Sequence, residues 1–195
     1  MHSYLNKNLF FVKEFVGFFK AANEFDIFDP ETQEMIIQCR EPKLGGFTKF
    51  LRFTDYKRMT PFELVVSDKD GKKILSVKRG VALFLSKVQV LDENDRLIGY
   101  FKQHFFSLGG AFTLYDANDR ELCKLKGKWT GWDFKFIAGK EEFAHITKKW
   151  AGLGRELFTS ADNYVISISD KVPADNQLRP LILASVLCID MVFKE

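Results

Sequence analysis

Lys124, Lys126 and Lys128 stand at alternate positions in the chain. On a β-strand that spacing puts all three side chains on one face, as a short cationic stripe. Such a stripe attracts anionic lipid by ~1 kcal/mol per lysine near the membrane surface, which gives weak, salt-sensitive docking. An ordinary solvated strand face has the same composition and is the competing reading. Trp129 and Trp132 follow, flanking Thr130 and Gly131. Indole rings settle at membrane interfaces, but they also fill cores, and packing is the reading favoured for this pair.

Acid–base or nucleophilic chemistry finds little to work with. The histidines are His2, His104 and His145, and none stands beside a nucleophile in a recognisable setting. His145 shares a strand face with Phe143 and Thr147, which suits a packed or rim residue. Cys39, Cys123 and Cys188 are odd in number and widely spaced. They form no zinc quartet and read as reduced core thiols. The carboxylate pairs Asp68/Asp70, Asp116/Asp119 and Glu141/Glu142 fall in predicted turns, and turn chemistry accounts for them. The residues therefore predict no catalytic group, no cofactor and no metal. With 29 basic and 26 acidic side chains in 195 residues, the formal charge is +3. That is too weak a basic balance for a dedicated nucleic-acid binder.

The elements that must position these residues announce themselves by repetition. Leu64–Leu75, Val88–Ile98 and Phe112–Leu122 each read as strand, tight turn, strand, and their turns open on Asp68, Asp92 and Asp116, 24 residues apart. The opening carboxylate accepts from the backbone two residues on, and the Asn, Asp or Gly that follows tolerates positive φ. Two looser hairpins run through Phe25–Ile37 and Phe134–Ile146. Tyr164–Ile168 and an N-terminal strand near Leu9–Val12 bring the total to about twelve strands. So many short strands remove their exposed edges by closing into a barrel.

From Asn176 to Phe193 the apolar residues are nearly continuous, with no solvent face. A helix apolar all round belongs inside something. Pro180 suits its first turn, where proline forfeits only an amide that would be unpaired in any case. The uncharged run Pro180–Ile189 is about half the ~20 residues that a membrane-spanning helix needs. The same helix is expected to fill the barrel, leaving no room for an interior ligand. Phe10, Phe11, Phe15, Val16, Phe18 and Phe19 could insert into a membrane or cover the barrel. Glu41–Gly46 leads into a basic stretch, Lys49, Arg52, Lys57 and Arg58, that receives no assignment. Trp150–Glu156 is a glycine-punctuated turn.

Lys149–Gly152 running into Arg155–Tyr164, the ending Ile189–Glu195, and Asp92–Tyr100 with Gln103 together resemble the phospholipid scramblases and their LURP-one-related cousins. The resemblance covers most of the chain from about Phe25 onward. It implies a mainly β, Tubby-like fold: a closed antiparallel β-barrel of about twelve strands around a buried apolar C-terminal helix, with residues 1–195 as a single domain. The palmitoylated cysteine cluster of scramblases has no counterpart, because Leu125–Trp132 occupies its approximate place without a cysteine. The family's proposed calcium segment aligns with Ser160–Lys171. A calcium loop wants an acidic first position, a glycine at the sixth and a carboxylate at the twelfth. This chain has Ser160, Val165 and Lys171 there, and only Asp162 and Asn163 retain oxygen ligands. Tyr164–Ser169 alternates like a strand. The expectation is a noncatalytic, scramblase-like module in the cytoplasm. Its partner is an anionic phospholipid membrane surface, met peripherally, or a protein bound by an intracellular barrel without lipid activity.

Overall fold

The aspartate that opens each repeat fixes where the chain reverses. The computed structural model describes residues 3–15, 22–42, 60–80, 87–103, 112–128, 131–148 and 163–193. In it, Asp68 Oδ1 accepts from the amides of Asp70 (3.0 Å) and Lys72 (2.8 Å). Asp92 Oδ1 does the same for Asn94 (2.8 Å) and Arg96 (2.9 Å), and Asp116 Oδ1 for Asn118 (2.8 Å) and Arg120 (2.9 Å). The residue before the second strand's lead-in takes left-handed φ in all three: Gly71 at 82°, Asp95 at 61° and Asp119 at 62°. Glycine enters that region freely, and aspartate is among the few residues that tolerate it.

The strands flanking these turns are β1 (Leu9–Glu14), β2 (Glu24–Phe28), β3 (Met35–Arg40), β4 (Phe62–Asp68), β5 (Lys73–Arg79), β6 (Lys87–Asp92), β7 (Leu97–Gln103), β8 (Phe112–Asp116), β9 (Glu121–Lys128), β10 (Asp133–Ala138), β11 (Glu141–Thr147) and β12 (Asn163–Ile168). Each pairs antiparallel with its neighbour in sequence, and β1 closes the barrel on β12 in the register Leu9↔Ser167 to Lys13↔Asn163. No described strand is left with an open edge. The expected twelve-strand closed barrel is the fold observed. One detail differs: Glu141 and Glu142 open β11 rather than sitting in its turn. There Glu142 pairs with Lys135 at 2.8 Å and Glu141 with Lys171 at 3.2 Å.

This up-and-down order puts all five tight turns, β2–β3 through β10–β11, at one end. The first residues of β2, β4, β6, β8, β10 and β12 lie at the other. Each hairpin also carries one extra residue in its second strand. Pairing jumps from Ile27↔Ile37 to Phe28↔Met35, from Val66↔Leu75 to Ser67↔Lys73, and from Val90↔Gly99 to Leu91↔Leu97. It jumps likewise from Leu114↔Cys123 to Tyr115↔Glu121 and from Phe136↔Ala144 to Ile137↔Glu142. These are β-bulges. The residues left without a cross-strand partner are Ile36, Ile74, Ile98, Leu122 and Phe143, all apolar. Ile36 and Ile74 belong to the core, and the other three pack against it, so the turn end of the barrel has an apolar collar.

The helix α1 (Leu178–Phe193) enters through that collar. Asn176 caps it: its side-chain carbonyl accepts from the Leu178 amide at 2.8 Å, and its main-chain carbonyl accepts from the Arg179 amide at 3.0 Å. Leu181 to Ile189 are buried without interruption, which is the all-round burial their composition requires. The helix and the inward-facing strand residues form one core cluster. The helix comes closest to β7, where a Cβ on Gly99 would stand 2.5 Å from the Tyr115 carbonyl oxygen and 2.9 Å from Leu181 Cδ2.

The collar is locked by Arg179, which is 3% exposed. Its guanidinium donates to the carbonyls of Pro173 (2.9 Å), Lys7 (2.8 Å) and Val172 (2.7 Å), and to Asn8 Oδ1 (2.7 Å). It ties the segment before β1 and the β12–helix connection to the first turn of α1.

Candidate functional site

The stripe lysines lie on β9, which starts at the turn end and runs to the opposite end of the barrel. Leu125 is inside, while Lys124 and Lys126 are exposed outside. Lys128 continues the strand with its Cα opposite Asp133; its side chain, like all of Trp129, lies outside the described residues. The register extends the stripe sideways. Lys124 faces Thr113 on β8 and Ile137 on β10, Thr113 faces Lys102 on β7, and Lys102 faces Lys87 on β6. Lys126 stands directly opposite Lys135. The outer face of β6 to β10 therefore carries Lys87, Lys102, Lys124, Lys126 and Lys135, with lysine opposite lysine twice.

Like charges across a ladder destabilise a sheet, and the structure relieves part of that strain. The Lys87 ammonium lies 3.9 Å from the Tyr100 ring centroid. Tyr100 stacks on Tyr115 at 4.9 Å and donates to Asp119 Oδ1 at 2.9 Å. Burial, then the Asp119 carboxylate, push the Tyr100 phenol up to about 12, so it stays a donor. Lys135 pairs with Glu142, and Lys124 with Glu121 at 3.4 Å. Lys102 and Lys126 make no ion pair with another described residue.

Trp132 packs as a structural residue does. It stacks on Tyr164 at 5.4 Å, meets Phe134 edge-on at 6.2 Å, and has the Lys148 ammonium over its ring at 4.0 Å. Phe10 and Phe11 belong to β1 and are buried; Val16, Phe18 and Phe19 lie outside the described residues. Asn163 is buried as the first residue of β12, so Tyr164–Ile168 is strand as its alternation predicts. Asp162, His2, His104, the basic stretch at Lys49, Arg52, Lys57 and Arg58, and Trp150–Glu156 lie outside the described residues. Among the described residues, no group of three or more His, Cys, Asp or Glu side chains could hold a metal.

His145 Nε2 meets Asp133 Oδ1 at 2.7 Å on the outer face, beside Lys135. Cys39, Cys123 and Cys188 are free and buried. Burial pushes the Cys123 thiol up to about 12 and the other two higher still, which removes the thiolate that nucleophilic chemistry needs.

Charge is unevenly divided among the described residues. The hairpin segments 29–34, 68–72, 92–96, 116–120 and 139–142, turn plus adjoining strand ends, hold twelve carboxylates and five cationic side chains, a balance of −7 in a chain of net +3. The other described residues carry fifteen cationic side chains and ten carboxylates, a balance of +5. Register, not proximity in sequence, brings the lysines of four strands together. Only Lys124, Lys126 and Lys128 could be found without it.

A closed antiparallel barrel threaded by its own apolar helix defines the class of protein. This chain belongs to the scramblase family, whose pattern it matches over residues 6–195. Phospholipid scramblase 2 of Homo sapiens is 24% identical to it, over 91% of this chain and 62% of the relative. Phospholipid scramblase family member 5 of Homo sapiens is 24% identical over 68% of this chain and 54% of that protein. Altered inheritance rate of mitochondria protein 25 of Saccharomyces cerevisiae is 22% identical over 95% and 64% respectively. The chain thus spans between about half and two thirds of the length of these relatives. A protein from Arabidopsis thaliana known from an X-ray structure superposes with a TM-score of 0.56 at 15% identity, covering 97% of this chain and 94% of that one. That similarity is one of fold.

Among the described residues, no helix is long and apolar enough to cross a membrane.

Proposed function

We propose that this protein is a noncatalytic, scramblase-like module that docks peripherally on anionic phospholipid through the outer face of β6 to β10. The observation that carries the reading is the paired register Lys87↔Lys102 and Lys126↔Lys135. A sheet that sets lysine against lysine twice spends stability there, and a layer of anionic headgroups would return it. Membership of a family whose relatives are named phospholipid scramblases supports lipid as the anion. At ~1 kcal/mol per lysine near a charged surface, a handful of lysines gives attachment that is reversible and salt-sensitive.

The test is co-sedimentation with neutral and phosphatidylserine-containing vesicles at low and physiological salt, for the parent chain and a Lys124, Lys126 and Lys128 to Glu variant. Binding selective for anionic vesicles, weakened by salt and lost in the variant, is the expected result. Lys126→Ala alone should weaken it about fivefold. Equal binding to both vesicle types, or none, sinks the reading and moves the surface to a protein partner.

A further inference from the structure

The turn end of the barrel holds a second feature, independent of the lysine face. A half-open cleft of about 210 Å³ lies beside the first turn of α1, lined by Leu5, Ile74, Leu75, Ile98 and Pro180, with Asp92, Glu93 and Gln177 at its polar margin. Ile74 and Ile98 are equivalent bulge residues of consecutive hairpins, so the repeat itself builds the wall. The cleft is smaller than the ~300–1,000 Å³ of sites that enclose a drug-sized ligand. It is larger than the ~150 Å³ that holds a benzene ring in an apolar cavity. One short hydrocarbon segment fits, with its other end in solvent.

The margin decides what that end carries. Asp92 is ionised, with the Arg96 amide holding its carboxyl below the ordinary value against the opposing effect of burial, and its Oδ2 already accepts from the Arg96 guanidinium at 3.1 Å. Glu93 is exposed and makes no ion pair with a described residue. Both belong to the five hairpin segments, which carry twelve carboxylates against five cations, with Lys7, Lys171 and Arg179 at the same end. A carboxylate or phosphate headgroup would be repelled there and an ammonium attracted.

We infer that this cleft is a binding site for a small amphiphile with an alkyl chain and a cationic, ammonium-type head. The chain lies against Ile74, Ile98 and Pro180, and the head meets Glu93, beside the Asp92–Arg96 pair.

The probes are octylammonium, octanoate and octanol below their aggregation limits, titrated into the isotope-labelled protein and followed by amide shifts. Octylammonium should bind about tenfold more tightly than octanoate, since the same exposed charges attract one head and repel the other. Its shifts should centre on Ile74, Glu93, Ile98 and Leu181. Glu93→Lys, at an exposed turn position, should weaken octylammonium and strengthen octanoate. Ile98→Trp should fill the cleft and abolish both, with thermal melting confirming that each variant folds. Equal affinity for the three probes, shifts centred elsewhere, unchanged binding in both variants, or no binding at millimolar probe overturns the inference. Each of these results leaves the vesicle experiment untouched, because that experiment reads the opposite charge on a different face.

Discussion

Arg179 joins three segments of the chain, donating to residues before β1 and after β12 from the first turn of α1. Its charge is buried against neutral oxygens, three of them main-chain carbonyls at 2.7 to 2.9 Å. Arg179→Ala would leave those acceptors buried and unsatisfied, at a cost of about 3 kcal/mol, read as a lower midpoint in a urea titration. The turn aspartates act through charge as well. The Arg120 amide holds the Asp116 carboxyl below its ordinary value against the effect of burial, as the Arg96 amide does for Asp92. A carboxyl depressed in the folded state contributes stability that is complete above its unfolded value of ~3.9 and is lost as pH falls through the folded value. Acid unfolding should therefore steepen below about pH 4, and an Asp92→Asn, Asp116→Asn double variant should flatten that part of a stability–pH profile. The aspartates were legible in the sequence because their partners lie two and four residues away. Arg179 was not: apart from Asn8 Oδ1, its acceptors are main-chain carbonyls of residues 5, 7, 172 and 173, and a carbonyl leaves no mark in a side-chain pattern.

At the scale of elements, the helix and the wall it leans on constrain each other. Gly99 is where β7 lets α1 approach, and Gly99→Ala places a methyl group against Leu181 and the Tyr115 carbonyl. Overpacking of this kind costs about 1–3 kcal/mol, measurable in the same titration. Leu181→Ala should cost less in the Gly99→Ala background than in the parent chain, whereas two unrelated sites would simply add. The hairpins and the buried helix could be read from the chain because alternation, turn residues and an apolar run with no polar face are local signals. The bulges could not. Lys73-Ile74-Leu75 and Glu121-Leu122-Cys123 look like ordinary strand starts, and only the partner strand shows that one residue is left over. The same limit hid Lys87, Lys102 and Lys135, whose kinship with Lys124 exists only across the ladder.

At the scale of the whole molecule, the described residues are charged unevenly, negative over the hairpin segments and positive over the others. Such a field orients the barrel before contact, so association with anionic vesicles should be fastest at low salt and fall as the Debye length shortens from ~30 Å at 0.01 M to ~8 Å at 0.15 M. The closure of β1 on β12 has a consequence of another kind, in the order of assembly. Leu9 finds its partner at Ser167, and the helix that fills the interior comes still later in the chain. A ribosome delivers eleven strands before the last strand and the plug exist, so the inward face of the emerging sheet has nothing of its own to lie against. Contacts so distant in sequence form slowly, and exposed apolar strands invite aggregation meanwhile. The fold that ends with no free edge must pass through a period in synthesis when it has two, and a cell making this protein has to shield them.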